Sequence, residues 1–229
     1  MKKSFFSFGG SGVKKIKKKS KLKNNEYFQK IEEGEHISVQ FFSQKKKIKI
    51  LSVCDQYFLK EDKKPFVIKG IISKSIKSGL LKKLKMVVLK LSKIYNLNGI
   101  NNLDLVLKKG SEKFFVIELN GRPGLSTNLI YKINKNIFKK YELIKQPTKQ
   151  NFFYSSQIIY SKKKIIVTKN NLKFIRSLKH CHSFSELPQN KQIINIGEPI
   201  CLIHLKSKKI EILREKLEKI SYKIHINLN

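Results

Sequence analysis

The spacing of apolar residues changes several times along this chain and outlines its elements. The chain opens on SFFSFGGSGVKKI, a Phe-rich stretch, then Gly9-Gly10-Ser11-Gly12, then weak alternation from Val13. This predicts strand, glycine loop, strand. Tyr27 to Ile31 reads as a short strand, Glu32-Glu33-Gly34-Glu35 as a turn, and His36 to Phe42 as an alternating strand. KIKILSVCD, from Lys47 to Asp55, continues as another strand. Residues 60–65 read as a loop punctuated by Pro65, and GIISKSI as a brief strand. The period then becomes helical. Leu80, Leu81, Leu84, Val87, Val88, Leu91 and Ile94 lie on one stripe, with Asn98-Gly99 as the expected stop.

INNLDLVLKKGSEKFFVIELN returns to a strand pattern on both sides of Lys108-Lys109-Gly110-Ser111, which predicts a β-hairpin. Residues 125–146 follow as a helix, with Ser126 or Thr127 as its N-cap. Beyond Pro147 the character changes. NFFYSSQIIYSKKKIIVT reads as two strands around a Lys-rich turn, and residues 170–192 as irregular chain. IINIGEPICLIHL reads as a strand broken at Gly197–Pro199, and KKIEILREKLEKISYKI as a C-terminal helix. The expected class is α+β: an antiparallel sheet with packed helices over residues 1–147, then a small β-rich lobe with a terminal helix over 148–229.

Composition supports this picture. The chain has 229 residues and 40% hydrophobic content, enough for one core and a small second lobe. No apolar run reaches the ~18 residues of a membrane span, so no membrane partner is expected. The N-terminus lacks the long apolar stretch of a signal peptide, which points to a cytoplasmic protein. Cys54, Cys181 and Cys201 are scattered and odd in number, so reduced thiols are expected rather than a disulfide framework. His180-Cys181-His182 reads as loop, because adjacent ligands point in alternate directions and no second pair follows at a suitable spacing.

The formal net charge is +34, a value that often marks nucleic-acid binding. Here the charge is almost wholly lysine, with only Arg122, Arg176 and Arg214 as arginines. Nucleic-acid readers use guanidinium forks as well. Lys, Ile and Asn abound together, as AT-rich coding would produce, so nucleic acid is not the expected partner. The basic run KKIKKKSKLK at 14–23 is either a solvated loop or a cover for the phosphate side of a nucleotide.

The candidate chemistry lies in FVIELNGRPG. Alternation along a strand sends Glu118, Asn120 and Arg122 to one side. A carboxylate and an amide oxygen are hard donors suited to Mg²⁺, and a guanidinium beside them suits a phosphate. The hairpin places Asp104 where it can face Glu118. Two acids, one amide and one arginine on neighbouring strands make a candidate Mg-ATP site. The glycine loop 9–12 is either an anion cradle or a plain hairpin turn.

These features, in this order, resemble the ATP-grasp superfamily, which includes D-alanine–D-alanine ligases and biotin carboxylases. The segment FSELPQNKQIINIGEPICLIHL also resembles the trailing part of predicted ATP-dependent carboligases. The resemblance implies the C-terminal part of an ATP-grasp fold, with a partial nucleotide-binding domain over 1–147. Asp104, Glu118 and Asn120 would hold Mg²⁺, or Mn²⁺ in its place. Arg122 would contact a phosphate or an acyl-phosphate. Gly9, Gly10, Ser11 and Gly12 would cover the β- and γ-phosphates. Gln29, Lys30 and Ile31 would form the hinge strand along adenine, His36 would meet the ribose, and Lys2 or Lys3 would touch the α-phosphate.

The implied activity is an ATP-dependent carboxylate–amine ligase or carboligase. Its partners would be a small-molecule carboxylate and an amine. The alternative is a degenerate nucleotide- or polyanion-binding module. The family normally carries a Rossmann-like domain before the glycine loop, and Ser4 stands where a proline often follows the phosphate lysine. The expectation is therefore a shortened chain or one half of a split ligase, completed by an N-terminal half or a second copy.

Overall fold

The computed structural model describes residues 1–6, 9–10, 12–16, 21–44, 47–59, 65–133, 151–178 and 183–228. Its strands are β1 (Lys2–Ser4), β2 (Glu26–Phe28), β3 (Glu35–Gln44), β4 (Lys47–Phe58), β5 (Ile68–Ser73), β6 (Gly99–Leu107), β7 (Phe114–Asn120), β8 (Phe153–Tyr160), β9 (Ile165–Ile166), β10 (Ser183–Ser185), β11 (Ile193–Ile194) and β12 (Pro199–Ser207). Its helices are α1 (Ser78–Ile94), α2 (Ser126–Ile133), α3 (Lys169–Ser177) and α4 (Ile210–Asn227).

Eight strands form one antiparallel sheet in the order β10-β12-β8-β5-β4-β3-β6-β7. The α+β class with an antiparallel sheet is as expected. Residues on both sides of position 148 share this sheet, because β5 pairs with β8 through Gly70↔Gln157 and Ile72↔Ser155. Position 148 itself and residues 134–150 lie outside the described residues.

Alternation in the strands decides what each face buries. On one face Ile37, Val39, Phe41, Val53, Leu103 and Leu105 pack under Leu80, Leu81, Leu84 and Val88 of α1. Further along the same face, Ile72, Ile159, Cys201 and Ile203 pack with Ile175 of α3 and with Leu213, Leu217, Ile220 and Ile224 of α4. The other face carries α2 through Leu129, which packs on Cys54 and Ile71, and through Ile130, which packs on Leu51. The rest of that face holds the cavity.

Three local readings are corrected. Helix α1 ends at Ile94, not at Asn98-Gly99. Asn96 takes the left-handed conformation (φ 47°), and Leu97 N–H donates to Ser92 C=O at 3.0 Å. That is a Schellman closure with asparagine in the usual glycine place. Residues 169–177 are helical rather than irregular. Thr168 and Asn171 form a capping box that meets the first orphan N–H groups. Helix α2 starts at Ser126, but the hydroxyls of Ser126 and Thr127 bond Gln40 and the Gly124 carbonyl instead of capping it.

Candidate nucleotide and metal site

Strands β3, β6 and β7 lay two polar rows across the cavity face. The register aligns Glu118 with Asp104 and Asp104 with Ser38. The next row aligns Asn120 with Asn102 and Asn102 with Gln40. A β-bulge follows at once, since Leu105 pairs with Val116 and leaves Ile117 over. Such bulges re-aim side chains beside functional positions.

Asp104 is the hub of this lattice. Its Oδ1 accepts from Gln56 Nε2 at 2.9 Å and from Asn102 Nδ2 at 3.0 Å. Its Oδ2 accepts from Asn120 Nδ2 at 3.5 Å. Ser38 Oγ donates to Asn102 Oδ1 at 2.7 Å, which fixes that amide. Burial pushes the Asp104 carboxyl up to about 6, the Glu118 charge pushes the same way, and the amide hydrogen bonds oppose both. Burial also lowers the affinity of His36 for a proton.

Lys3, 6% exposed, reaches into the same place. Its Nζ lies 3.4 Å from Glu118 Oε2 and 5.8 Å from the centre of the Tyr27 ring. Lys3 pairs with Tyr27 in the short β1–β2 ribbon, so the backbone carries the lysine to the acid.

A cavity of about 540 Å³ gathers these groups. Lys3, Gly9, Gly10, Ile31, His36, Asp104, Glu118, Asn120 and Arg122 all line it. Its apolar wall includes Phe58, Phe66, Ile68, Ile71 and Val106, and the His36 ring stands edge-on to Phe58 at 4.8 Å. Gly9 C=O accepts from Ile68 N–H at 3.0 Å, which docks the loop on β5. Gly10 sits at φ 82°, and a Cβ there would collide with the Phe66 carbonyl, so only glycine fits.

Not every expected residue is there. Gly12, Gln29 and Lys30 do not line the cavity. The Gln29 main chain is bonded to Met1 at both its N–H and its C=O, and its side-chain amide donates to Ile117 C=O at 3.1 Å. Lys30 points to solvent and pairs with Glu32 at 3.2 Å. Ser11, and the His180-Cys181-His182 run read as loop, lie outside the described residues. Ser38, Gln56, Asn102 and Glu32 line the cavity without having been anticipated. Period-two alternation from Asp104 back to Asn102 was the available signal for one of them.

Arg122 is exposed at the rim, and Pro123 and Gly124 turn the chain into α2. A Cβ on Gly124 would come within 2.9 Å of the Asn102 side chain, so the turn rests directly on the polar lattice. Among the described residues no three His, Cys, Asp or Glu side chains cluster as a metal site. The donor set is two acids and one amide.

The family model described as an ATP-grasp domain matches residues 1–126. The chain belongs to the ATP-grasp family. The search of curated proteins finds no match. Among solved structures, the ATP-grasp chain is similar to an L-amino acid ligase from Bacillus licheniformis, with 13% identity, a TM-score of 0.57, and 85% of this chain and 53% of that one covered. It is similar to a phosphoribosylglycinamide synthetase from Anaerococcus prevotii, with 19% identity and a TM-score of 0.57, covering 89% of this chain and 54% of that one. A biotin carboxylase from Campylobacter jejuni, in a β,γ-ATP complex, matches at 13% identity and a TM-score of 0.58, with 82% and 45% covered. At these identities the likeness shows the fold. The chain spans about half the length of these structures. Among the described residues no helix is long and apolar enough to cross a membrane.

Proposed function

We propose that this chain carries the ATP- and Mg²⁺-dependent step of a ligase. A carboxylate, or bicarbonate, attacks the γ-phosphorus of ATP, ADP leaves, and an acyl-phosphate forms. An amine or another nucleophile then attacks the acyl carbon, and phosphate departs. One observation carries this reading: Asp104 and Glu118 stand directly opposite each other on the cavity face, with Asn120 beside them.

The donor chemistry fits a hard cation. Two carboxylates stand in register, one of them hard to ionise because it is buried, and among the described residues Lys3 is the cation paired with them. Bound at Asp104, Glu118 and Asn120, Mg²⁺ (or Mn²⁺) would neutralise charge on the phosphoryl oxygens. The chain's own residues do the rest. Asn102, Gln56 and Ser38 hold Asp104 in place. Lys3 and Arg122 meet phosphate charge. Gly9 and Gly10 face the phosphates, and Gly10 gives the backbone its close approach. Ile31 and Glu32 would serve as the hinge for adenine and ribose in the cavity that Phe58, Phe66 and Ile68 also line, with His36 on the ribose side. A cavity of about 540 Å³ lies within the ~300–1,000 Å³ range of small-ligand sites.

The acceptor half of the reaction is proposed for the whole ligase rather than for this cavity. Residues 1–147 would supply the nucleotide side and residues 148–229 a smaller lobe. The other partner would be an N-terminal half or a second copy of the chain. Buried free thiols at Cys54 and Cys201 accord with a cytoplasmic setting.

Thermal unfolding with ATP, with and without Mg²⁺, tests the reading, because a ligand that binds only the folded state raises its stability. A larger rise with Mg²⁺ than without it, lost in Glu118→Ala and Asn120→Ala, is the expected result. No rise in the unaltered protein at millimolar Mg·ATP would overturn it.

A further inference from the structure

The same carboxylate that the proposed cation would use is already engaged. Lys3 Nζ lies 3.4 Å from Glu118 Oε2, and among the described residues Glu118 is its sole carboxylate partner. The two ends of this pair differ in exposure. The Lys3 side chain is 8% exposed and the Glu118 side chain 47%. A buried ammonium is costly without a counter-charge, whereas a half-exposed carboxylate is partly solvated. The pair therefore matters more to Lys3 than to Glu118.

Lys3 cannot easily swing out to water. It sits in β1, paired with Tyr27 across the ribbon, and β1 is held on its other side by the Lys2–Lys14 bridge. The Tyr27 ring, 5.8 Å from Nζ, offers a weak cation–π contact and no full charge.

We infer that Lys3 is an internal stand-in cation for Glu118, and that it makes metal and triphosphate bind as a coupled pair. This rests on the metal-site reading above. A divalent ion arriving alone takes Glu118 and leaves the Lys3 ammonium buried without a partner. A triphosphate arriving with the ion supplies new negative charge for Lys3 at the moment Glu118 is surrendered. Lone cation is thus disfavoured, and each ligand improves the site for the other by the same factor, as linkage requires. Both Lys3 and the two acids line one cavity, so a single ligand can reach them together.

The test is Mn²⁺ binding, followed by electron paramagnetic resonance of free Mn²⁺, without nucleotide and then with ATP. It is run on the full chain, on Lys3→Met, which keeps the stem and removes the charge, and on Lys3→Arg, which keeps the charge. The expected result has opposite signs. Lys3→Met binds Mn²⁺ alone tighter by on the order of tenfold, while the gain in Mn²⁺ affinity caused by ATP shrinks by a similar factor. Lys3→Arg behaves like the unaltered chain. Lys3→Gln replaces Lys3→Met if the latter does not fold by circular dichroism, with the same expectation.

Unchanged or weaker binding of lone Mn²⁺ in the neutral variant overturns the inference while leaving the metal site standing, provided that Mn·ATP still binds the unaltered chain. Absence of Mn·ATP binding in the unaltered chain overturns the metal-site reading itself, and this inference with it.

Discussion

Gln40, fully buried in the middle of β3, is bonded at both ends of its amide to the start of α2. Its Oε1 accepts from Ser126 Oγ at 2.9 Å and its Nε2 donates to Thr127 Oγ1 at 2.7 Å. The Arg122-Pro123-Gly124 turn, which rests on Asn102, is thereby tied to a strand far away in sequence. Gln40→Leu removes both bonds and takes the acceptor from the buried Ser126 hydroxyl, while Thr127 Oγ1 keeps its bond to the Gly124 carbonyl. The expected cost is ~2–4 kcal/mol by chemical denaturation, with weaker Mg·ATP stabilisation than the lost fold stability alone explains.

Asp104 makes the ligand-free protein sensitive to pH. Its folded carboxyl titrates near 6, above its ordinary value of 3.8. The folded state then binds the proton more tightly than the unfolded chain. The stabilising contribution of this group is present below about pH 4 and is lost as the pH rises through about 6. Asp104→Asn removes that loss. Without metal, the variant should melt higher than the natural chain at pH 7.5, and the difference should shrink by pH 4. With Mg·ATP the order at pH 7.5 should reverse. A variant that melts lower at pH 7.5 without metal would contradict the proposed cost of burying this charge.

Arg122 offers a planar fork at the rim, where a lysine offers a point charge. If the fork serves the transferring phosphoryl group, Arg122→Lys should lower turnover by ~100-fold or more with little change in KM for ATP. Steady-state ATP consumption by the assembled ligase measures both. A rise in KM with unchanged turnover would place Arg122 in ground-state binding instead.

Gly10 tests the loop independently of charge. Gly10→Ala combines a positive φ with a collision against the Phe66 carbonyl, so the loop must leave β5. The expected outcome is a loss of ATP affinity with the main core intact. Unfolding of the whole chain should shift by no more than ~1–2 kcal/mol. Calorimetric titration and denaturant unfolding separate the two effects.

The hairpin and its acids were legible because both signals are local. Alternation assigned Asp104 and Glu118 to faces, and Gly110, at φ 71°, marked the turn between them. The support around Asp104 was not legible. Ser38, Gln40 and Gln56 come from β3 and β4, and a polar residue at every second position reads as a wet face when it is a buried polar lattice. Helix α3 was hidden by composition. Asn170 and Asn171 are weak helix formers, and its capping box uses Asn171 where the familiar signal is Glu or Gln. That Gln29 and Lys30 stay off the cavity wall was not legible either, because the spacing shows a strand but not that Met1 already occupies the Gln29 main chain.

The β5–β8 pairing has a bearing on how the molecule can be cut. A fragment that stopped before β8 would leave β5 with open main-chain donors and acceptors, and with Ile72 stripped of its packing against Ile159, Cys201 and Ile203. Such a rim invites strands from other molecules and clumping. Splitting this protein for separate expression between β7 and β8, near position 148, would therefore trade a sealed seam for a sticky border, even though the acids near the opposite end of the sheet would be untouched.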